Sequence, residues 1–193
     1  SDYHGNENSF SYVCCNPIAS ISVKGNTLTR KYPDHRTEVI SIDESVDVPL
    51  LIHDFSREFA ADSRKFKFIN NGLFGYISYD AVQFFEDISL TEKPDKLDIP
   101  EIYYAVYQNI IAINHFKNEA YIFSHSIGDD NNTDEIHQLI DNKNFASFDY
   151  RNKQDEISNF TDEEFLNLVG QAKKHCYRGD VFQLVLSRRF SRG

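Results

Sequence analysis

The chain has 193 residues, 40% of them hydrophobic, with 16 Phe and 11 Tyr but neither Trp nor Met, and a formal charge of −10. This is enough apolar material for one packed domain, or for one domain and part of a second, and the acidic balance argues against nucleic acid as a partner. No apolar run approaches the length of a membrane span, and no charged-then-apolar leader is visible to support secretion. Without any Met, a chain that opens at Ser1 reads as trimmed at its N-terminus.

From the N-terminus, Ser9–Cys15 and Ala19–Lys24 are predicted strands around an Asn16-Pro17 turn, and Gly25-Asn26 starts a second turn from which Thr27–Tyr32 pairs back. Val48–Glu58 is predicted as a helix with Leu50, Leu51, Phe55 and Phe59 on one side. Lys67–Ile69 and Gly75–Tyr79 are predicted strands flanking a glycine turn. Ala81–Phe85 reads as a short helix and Pro94–Pro100 as a loop. The clearest hairpin joins Ile102–Asn114 to Glu119–Ser124. Ile127–Ser158 is polar, holds one helix at about Thr133–Asp141, and otherwise reads as a connection between domains.

The last 33 residues carry the strongest local signals. Thr161-Asp162-Glu163-Glu164 has the form of a capping box, and Phe165, Leu168, Val169, Ala172 and Cys176 recur at helical spacing. Gly179 can end that helix in the left-handed conformation. Val181–Phe190 then alternates like a strand, with Phe182, Leu184, Leu186 and Phe190 on one face and Val181, Gln183, Val185, Ser187 and Arg189 on the other. A Gln between two Val residues on a strand face needs a hydrogen-bonding partner, either water on a solvated sheet face or a ligand.

Residues 173–193 hold six Lys/Arg against one acid, while the rest of the chain holds 14 against 29. A basic margin suits an anion site. It equally suits the negative end of a helix dipole, where Lys173, Lys174 and Arg178 fall. Cys14, Cys15 and Cys176 form neither a disulfide framework nor a metal pair and are expected to be small buried hydrophobes in a reducing compartment. The seven His lack zinc-ligand spacing, so no metal site is assigned. Gly72 and Gly75 are not followed by a phosphate-binding Gly-Lys-Ser/Thr and suit a tight turn and close strand packing.

Three blocks together resemble one family. Gly179–Phe190 (GDVFQLVLSRRF) resembles the opening strand of the catalytic domain of anthranilate synthase component I, a chorismate-utilising enzyme. Asn70–Glu86 (NNGLFGYISYDAVQFFE) resembles a G-x-x-GY-x-x-YD block in that family's N-terminal part, and Glu7–Pro17 (ENSFSYVCCNP) is similar to its first strand and turn. The blocks occur in the family's order. The resemblance implies an α+β fold of antiparallel sheets stacked face to face with outer helices, incomplete here. It divides the chain into an N-terminal region (1–126), a connecting segment (127–158) and the start of a chorismate-binding catalytic domain (159–193).

Family members that add water to chorismate carry Lys where this chain has Gln183. The ammonia-using anthranilate and aminodeoxychorismate synthases carry Gln, which cannot act as a base. The ending Ser187-Arg188-Arg189-Phe190 looks more like the anthranilate branch. The implied reaction, cytoplasmic and in tryptophan biosynthesis, converts chorismate and ammonia, delivered by a glutamine amidotransferase subunit, to anthranilate and pyruvate. Gln183 would form part of the active-site wall. Mg²⁺ is implied, bound by a C-terminal part beyond Gly193, so this chain alone is expected to be inactive. L-tryptophan is the implied inhibitor, and Ser1 is the candidate last residue of its Leu-Leu-Glu-Ser motif. Aminodeoxychorismate synthase component I and a non-catalytic tryptophan-sensing or assembly module are the alternatives. The opened edge at Val181–Gly193 is expected to self-associate or be poorly ordered.

Overall fold

In the computed structural model, residues 9–59, 66–90, 98–128, 132–142, 147–148 and 155–192 are described. The chain divides into two compact units, Ser1–Asn142 and Lys143–Gly193. The fold is α+β.

The first unit is built on two long antiparallel strands, β1 (Phe10–Lys24) and β5 (Ile102–Asn114), paired from Phe10↔Asn114 to Val23↔Ile102. The Gly25-Asn26 turn, with Gly25 at φ +50°, reverses β1 into β2 (Thr27–Lys31). β3 (Thr37–Ser41) lies outside β2, and the far side of β5 pairs in succession with β4 (Phe74–Ile77) and β6 (Glu119–Ser124). The order is β3-β2-β1-β5-β4, with β6 also on β5, every pair antiparallel.

The expected break at Asn16-Pro17 is not a turn. β1 runs through it, and the register with β5 shifts between Pro17 and Ala19. Proline has no amide to give the ladder, so it is accommodated at a bulge. Asn16 takes φ 60°, a left-handed conformation its short polar side chain tolerates, and its Nδ2 donates to Oε1 of Gln108. β3 had no sequence expectation: its burial alternates, but a charge, Glu38, takes one inward position and Val39 an exposed one, so the residue types do not alternate. Lys67–Ile69 forms no strand. Instead Phe68 packs its ring on Phe10, Tyr121 and Phe123 at centroid distances of 4.7–6.0 Å.

Helix α1 (Val48–Arg57) starts where the Asp47 side chain accepts from the Leu50 amide at 2.8 Å, with Pro49 in the first turn. Its buried stripe is Val48, Leu51, Ile52 and Phe55, continued by Phe59. Leu50, expected on that stripe, is 52% exposed because two residues rotate it about 200° from Val48. Phe55 is completely buried beside Ile21, Leu28, Ile102 and Val106. Arg30 of β2 donates from Nη2 to the Leu51 carbonyl at 2.7 Å and lies 6.0 Å from the Phe55 ring, fixing α1 to the sheet. Tyr32 meets the same ring edge-on, and its hydroxyl donates to Glu38 and Glu58.

Gly75 of β4 meets the expectation of close packing: a Cβ there would collide with the Tyr103 carbonyl of β5. The predicted Gly75–Tyr79 strand ends at Ile77, and Tyr79–Phe84 forms a 3₁₀ helix that buries Ala81. Helix α2 (Thr133–Asp141) buries Ile136 and belongs to the first unit. Of the cysteines, Cys14 and Cys15 are half-buried. Burial, and secondarily Cys15, pushes the Cys14 thiol up. Cys176, expected to be buried, is exposed. No helix among the described residues is long and apolar enough to cross a membrane.

Phe55→Ala is expected to destabilise the protein by about 3–5 kcal/mol in denaturant unfolding, whereas Leu50→Ala changes stability by no more than about 0.5 kcal/mol. Asn109, fully buried on β5, has no partner for Oδ1 or Nδ2 among the described residues. Replacing it with β-favouring Val removes an uncompensated amide and is expected to raise stability by about 1 kcal/mol in the same assay.

Candidate functional site

The second unit carries Gln183. Its framework is α3 (Asp162–Arg178), between the two-residue strands β7 (Ile157–Ser158) and β8 (Phe190–Ser191), which pair antiparallel. The capping box forms as the sequence predicts. The Thr161 hydroxyl accepts from the Glu164 amide at 3.2 Å, and the Glu164 carboxylate accepts from the Thr161 amide at 2.8 Å. Gly179 ends the helix at φ 80°, where its amide and that of Asp180 return to the carbonyls of Cys176 and His175. Asp180 then accepts from Arg178 at 3.0 Å and lies 2.8 Å from His175.

Between Gly179 and β8, the predicted strand over Val181–Phe190 is not formed. Ladder pairing begins only at Phe190, because a strand needs a neighbour along its length and β7 offers two residues. The alternation survives locally: Leu184 and Leu186 line one hollow with Val169, Ala172, Cys176 and Tyr177 of α3. Phe182, Val185 and Gln183 are exposed, and the Gln183 amide has no partner among the described residues. The apolar stripe of α3 is only half-covered, with Phe165, Leu168, Val169 and Ala172 intermediate and Cys176 outside.

The segment's far end is anchored by arginines. Arg188 donates from Nη1 to Asp162 at 2.6 Å and from Nε to Ser158 at 2.7 Å, and its guanidinium lies 4.7 Å from the Phe190 ring centre. The Arg189 amide donates to the Asn159 side chain at 2.9 Å, and Arg192 pairs with Glu156 at 3.3 Å. Three cations of the basic C-terminal stretch (Arg178, Arg188 and Arg192) are thus engaged by carboxylates. Among the described residues no three His, Cys, Asp or Glu converge as metal ligands, so no residue here is assigned to Mg²⁺. Ser1 lies outside the described residues.

A chain whose blocks fall in one family's order, on an antiparallel sheet followed by a capped helix and an exposed Gln, invites comparison with known proteins. The family model for chorismate binding enzymes matches residues 7–193. The chain belongs to this family. It is 27% identical over 212 residues to anthranilate synthase alpha subunit 2, chloroplastic, of Arabidopsis thaliana, a match covering 95% of this chain and 33% of that protein. It is 24% identical over 192 residues to aminodeoxychorismate synthase component 1 of Bacillus subtilis, covering 94% and 40%. Its fold is similar to the crystal structure of anthranilate synthase component I from Streptococcus pneumoniae TIGR4, with a TM-score of 0.59 and 22% identity, over 94% of this chain and 41% of that one. The chain thus spans between a third and two fifths of the length of these relatives.

The capping box also sets a pH dependence. Hydrogen bonds from the Thr161 amide, then from its hydroxyl, hold the Glu164 carboxyl below the ordinary glutamate value. A lowered folded-state value means the contribution is complete above about pH 4.3 and is lost as pH falls through the folded value. Helicity followed by circular dichroism is expected to drop as the pH falls below about 4.3, and Glu164→Gln to flatten the part of that drop belonging to α3.

Proposed function

We propose that this chain supplies the N-terminal region and the opening of the catalytic domain of an anthranilate synthase component I. The protein adds ammonia to chorismate and releases anthranilate and pyruvate, in tryptophan biosynthesis. The observation that carries the reading is Gln183 within Gly179–Phe190. At the position where water-adding relatives carry a lysine base, this chain places an amide that can donate and accept hydrogen bonds but cannot take a proton from water. An exposed, unpartnered amide at that point is free to bond to substrate or to an ordered water. Ser187-Arg188-Arg189-Phe190 favours the anthranilate over the aminodeoxychorismate branch.

In this reading Arg188 is a positioning residue. It ties the end of the Gln183 segment to the first turn of α3 through Asp162 while Gly179 fixes the other end. Mg²⁺, when bound, would neutralise the chorismate ring carboxylate, and the carboxylates that hold it are assigned to none of the described residues. The relatives' names, alpha subunit and component 1, support a partner component, which we take to be a glutamine amidotransferase supplying ammonia. L-tryptophan is proposed as the inhibitor and the cytoplasm as the location. A tryptophan-sensing or assembly module without chemistry is the other reading of this chain taken alone.

The test uses the uninterrupted protein of the parent gene with chorismate, Mg²⁺ and ammonium, followed by anthranilate fluorescence. Anthranilate formation suppressed by tryptophan is the expected result. An aminodeoxychorismate product moves the chain to the other branch, and no turnover favours the non-catalytic module. Gln183→Ala in that protein is expected to lower anthranilate formation by roughly tenfold or more, and the 193-residue chain alone to form none.

A further inference from the structure

The β1 bulge forms the floor of a cleft of about 540 Å³ in the first unit, a size typical of small-molecule sites. Its walls come from different strands. From the end of β2 and the loop that follows it, Lys31 and His35 line one side. From β5 and the residue after β6, Gln108 and His125 line the other, and Tyr103 contributes an aromatic surface. Lys31 stands level with Ala105 of β5 and His125 level with Gln108, so the two walls lie three strand spacings apart across the sheet and three residues apart along it, roughly 17 Å between backbones.

The chemistry of the two walls differs. Among the described residues no Asp or Glu lines the cleft. The nearby Asp34 and Glu38 are engaged by Arg36 at 3.8 and 2.7 Å, which leaves the Lys31 side cationic. Opposite, Gln108 is 8% exposed, and its Oε1 accepts from both Asn16 and Asn132, which fixes the amide's orientation. His125 Nε2 lies 2.8 Å from the Asn70 carbonyl. A carbonyl only accepts, so Nε2 carries a proton, and the tautomer that this bond selects presents Nδ1 as an acceptor. A ligand spanning the cleft would therefore meet a cation at one end and an acceptor at the other.

We propose that this cleft binds a small planar carboxylate with a hydrogen-bond donor at its far end, the carboxylate between Lys31 and His35 and the donor on Nδ1 of His125. A para-substituted hydroxy- or aminobenzoate has this chemistry. The proposal stands apart from the Gln183 reading, since every residue it uses lies in the first unit.

Calorimetric titration of the 193-residue chain with 4-hydroxybenzoate tests it, with benzoate lacking the donor and 4-hydroxybenzamide lacking the charge. Saturable binding of 4-hydroxybenzoate is expected, with each control roughly tenfold weaker. Lys31→Gln, at an exposed side chain, should weaken 4-hydroxybenzoate roughly tenfold and leave 4-hydroxybenzamide unchanged. Lys24→Gln, which removes the surface pair with Asp98 outside the cleft, should change neither. Absence of saturable binding at millimolar concentration, equal affinity for all three compounds, or indifference to Lys31→Gln overturns the proposal.

Discussion

The pairing of β1 with β5 is the constraint on which the first unit depends. It runs nearly the length of both strands and joins residues about ninety apart in sequence, so it cannot be nucleated by a local turn. β2, β4 and β6 each attach to one of these two strands, and β3 follows through β2. The Gly25-Asn26 turn hangs β2 and β3 on one side, while β4 and β6 share the free edge of β5 end to end. The bulge at Pro17 is a consequence of that length. A fifteen-residue strand holding a proline can keep its partner only by displacing one residue from the ladder. The displacement opens the cleft and sets Asn16 against Gln108. One backbone irregularity thus links the register of the sheet to a polar concavity.

Burial is distributed unequally between the units, and this decides which interactions hold each together. In the first, Phe55, Ile21, Leu28, Ile102 and Val106 form a closed apolar cluster, and Arg30 spans from β2 to the α1 backbone. Hydrophobic transfer dominates there, and polar contacts fix orientation. In the second, α3 has no buried residue. Its order rests on its capping box, its left-handed glycine and the Arg188 link to Asp162, each of which contributes little on the surface. The half-covered stripe of α3, facing Leu184 and Leu186, is the apolar surface from which further packing would draw most of its stabilisation.

What was legible in the sequence follows the same division. Signals confined to a few adjacent residues read correctly: the Thr161/Glu164 box, the Gly179 stop, the Gly25-Asn26 turn, and the limits of the β5-β6 hairpin and α2. Readings that required knowledge of a distant neighbour did not. Pro17 looked like a turn because the sequence does not say that β5 would hold β1 straight through it. Leu50 looked buried because its apolar character was counted without its angle on the helix. Val181–Phe190 alternates as a strand should, yet alternation specifies which face a residue takes and supplies no partner for its amides. β3, whose inward positions are Glu38 and Ile40 and whose exposed positions include Val39, left no alternation of residue types to find.

The same reasoning explains why Gln183 was visible as a candidate while its environment was not. Its identity is a chemical statement contained in one residue: an amide cannot act as a general base. The walls of a site, in contrast, are made by elements remote in sequence. Here the segment bearing Gln183 is held at both ends, by Gly179 and by Arg188, with its apolar side over α3 and its polar side open. Fixing both ends sets the direction in which the amide is presented while leaving it accessible to solvent. The chemistry available at Gln183 is hydrogen bonding without proton transfer, and no metal-ligand cluster accompanies it among the described residues.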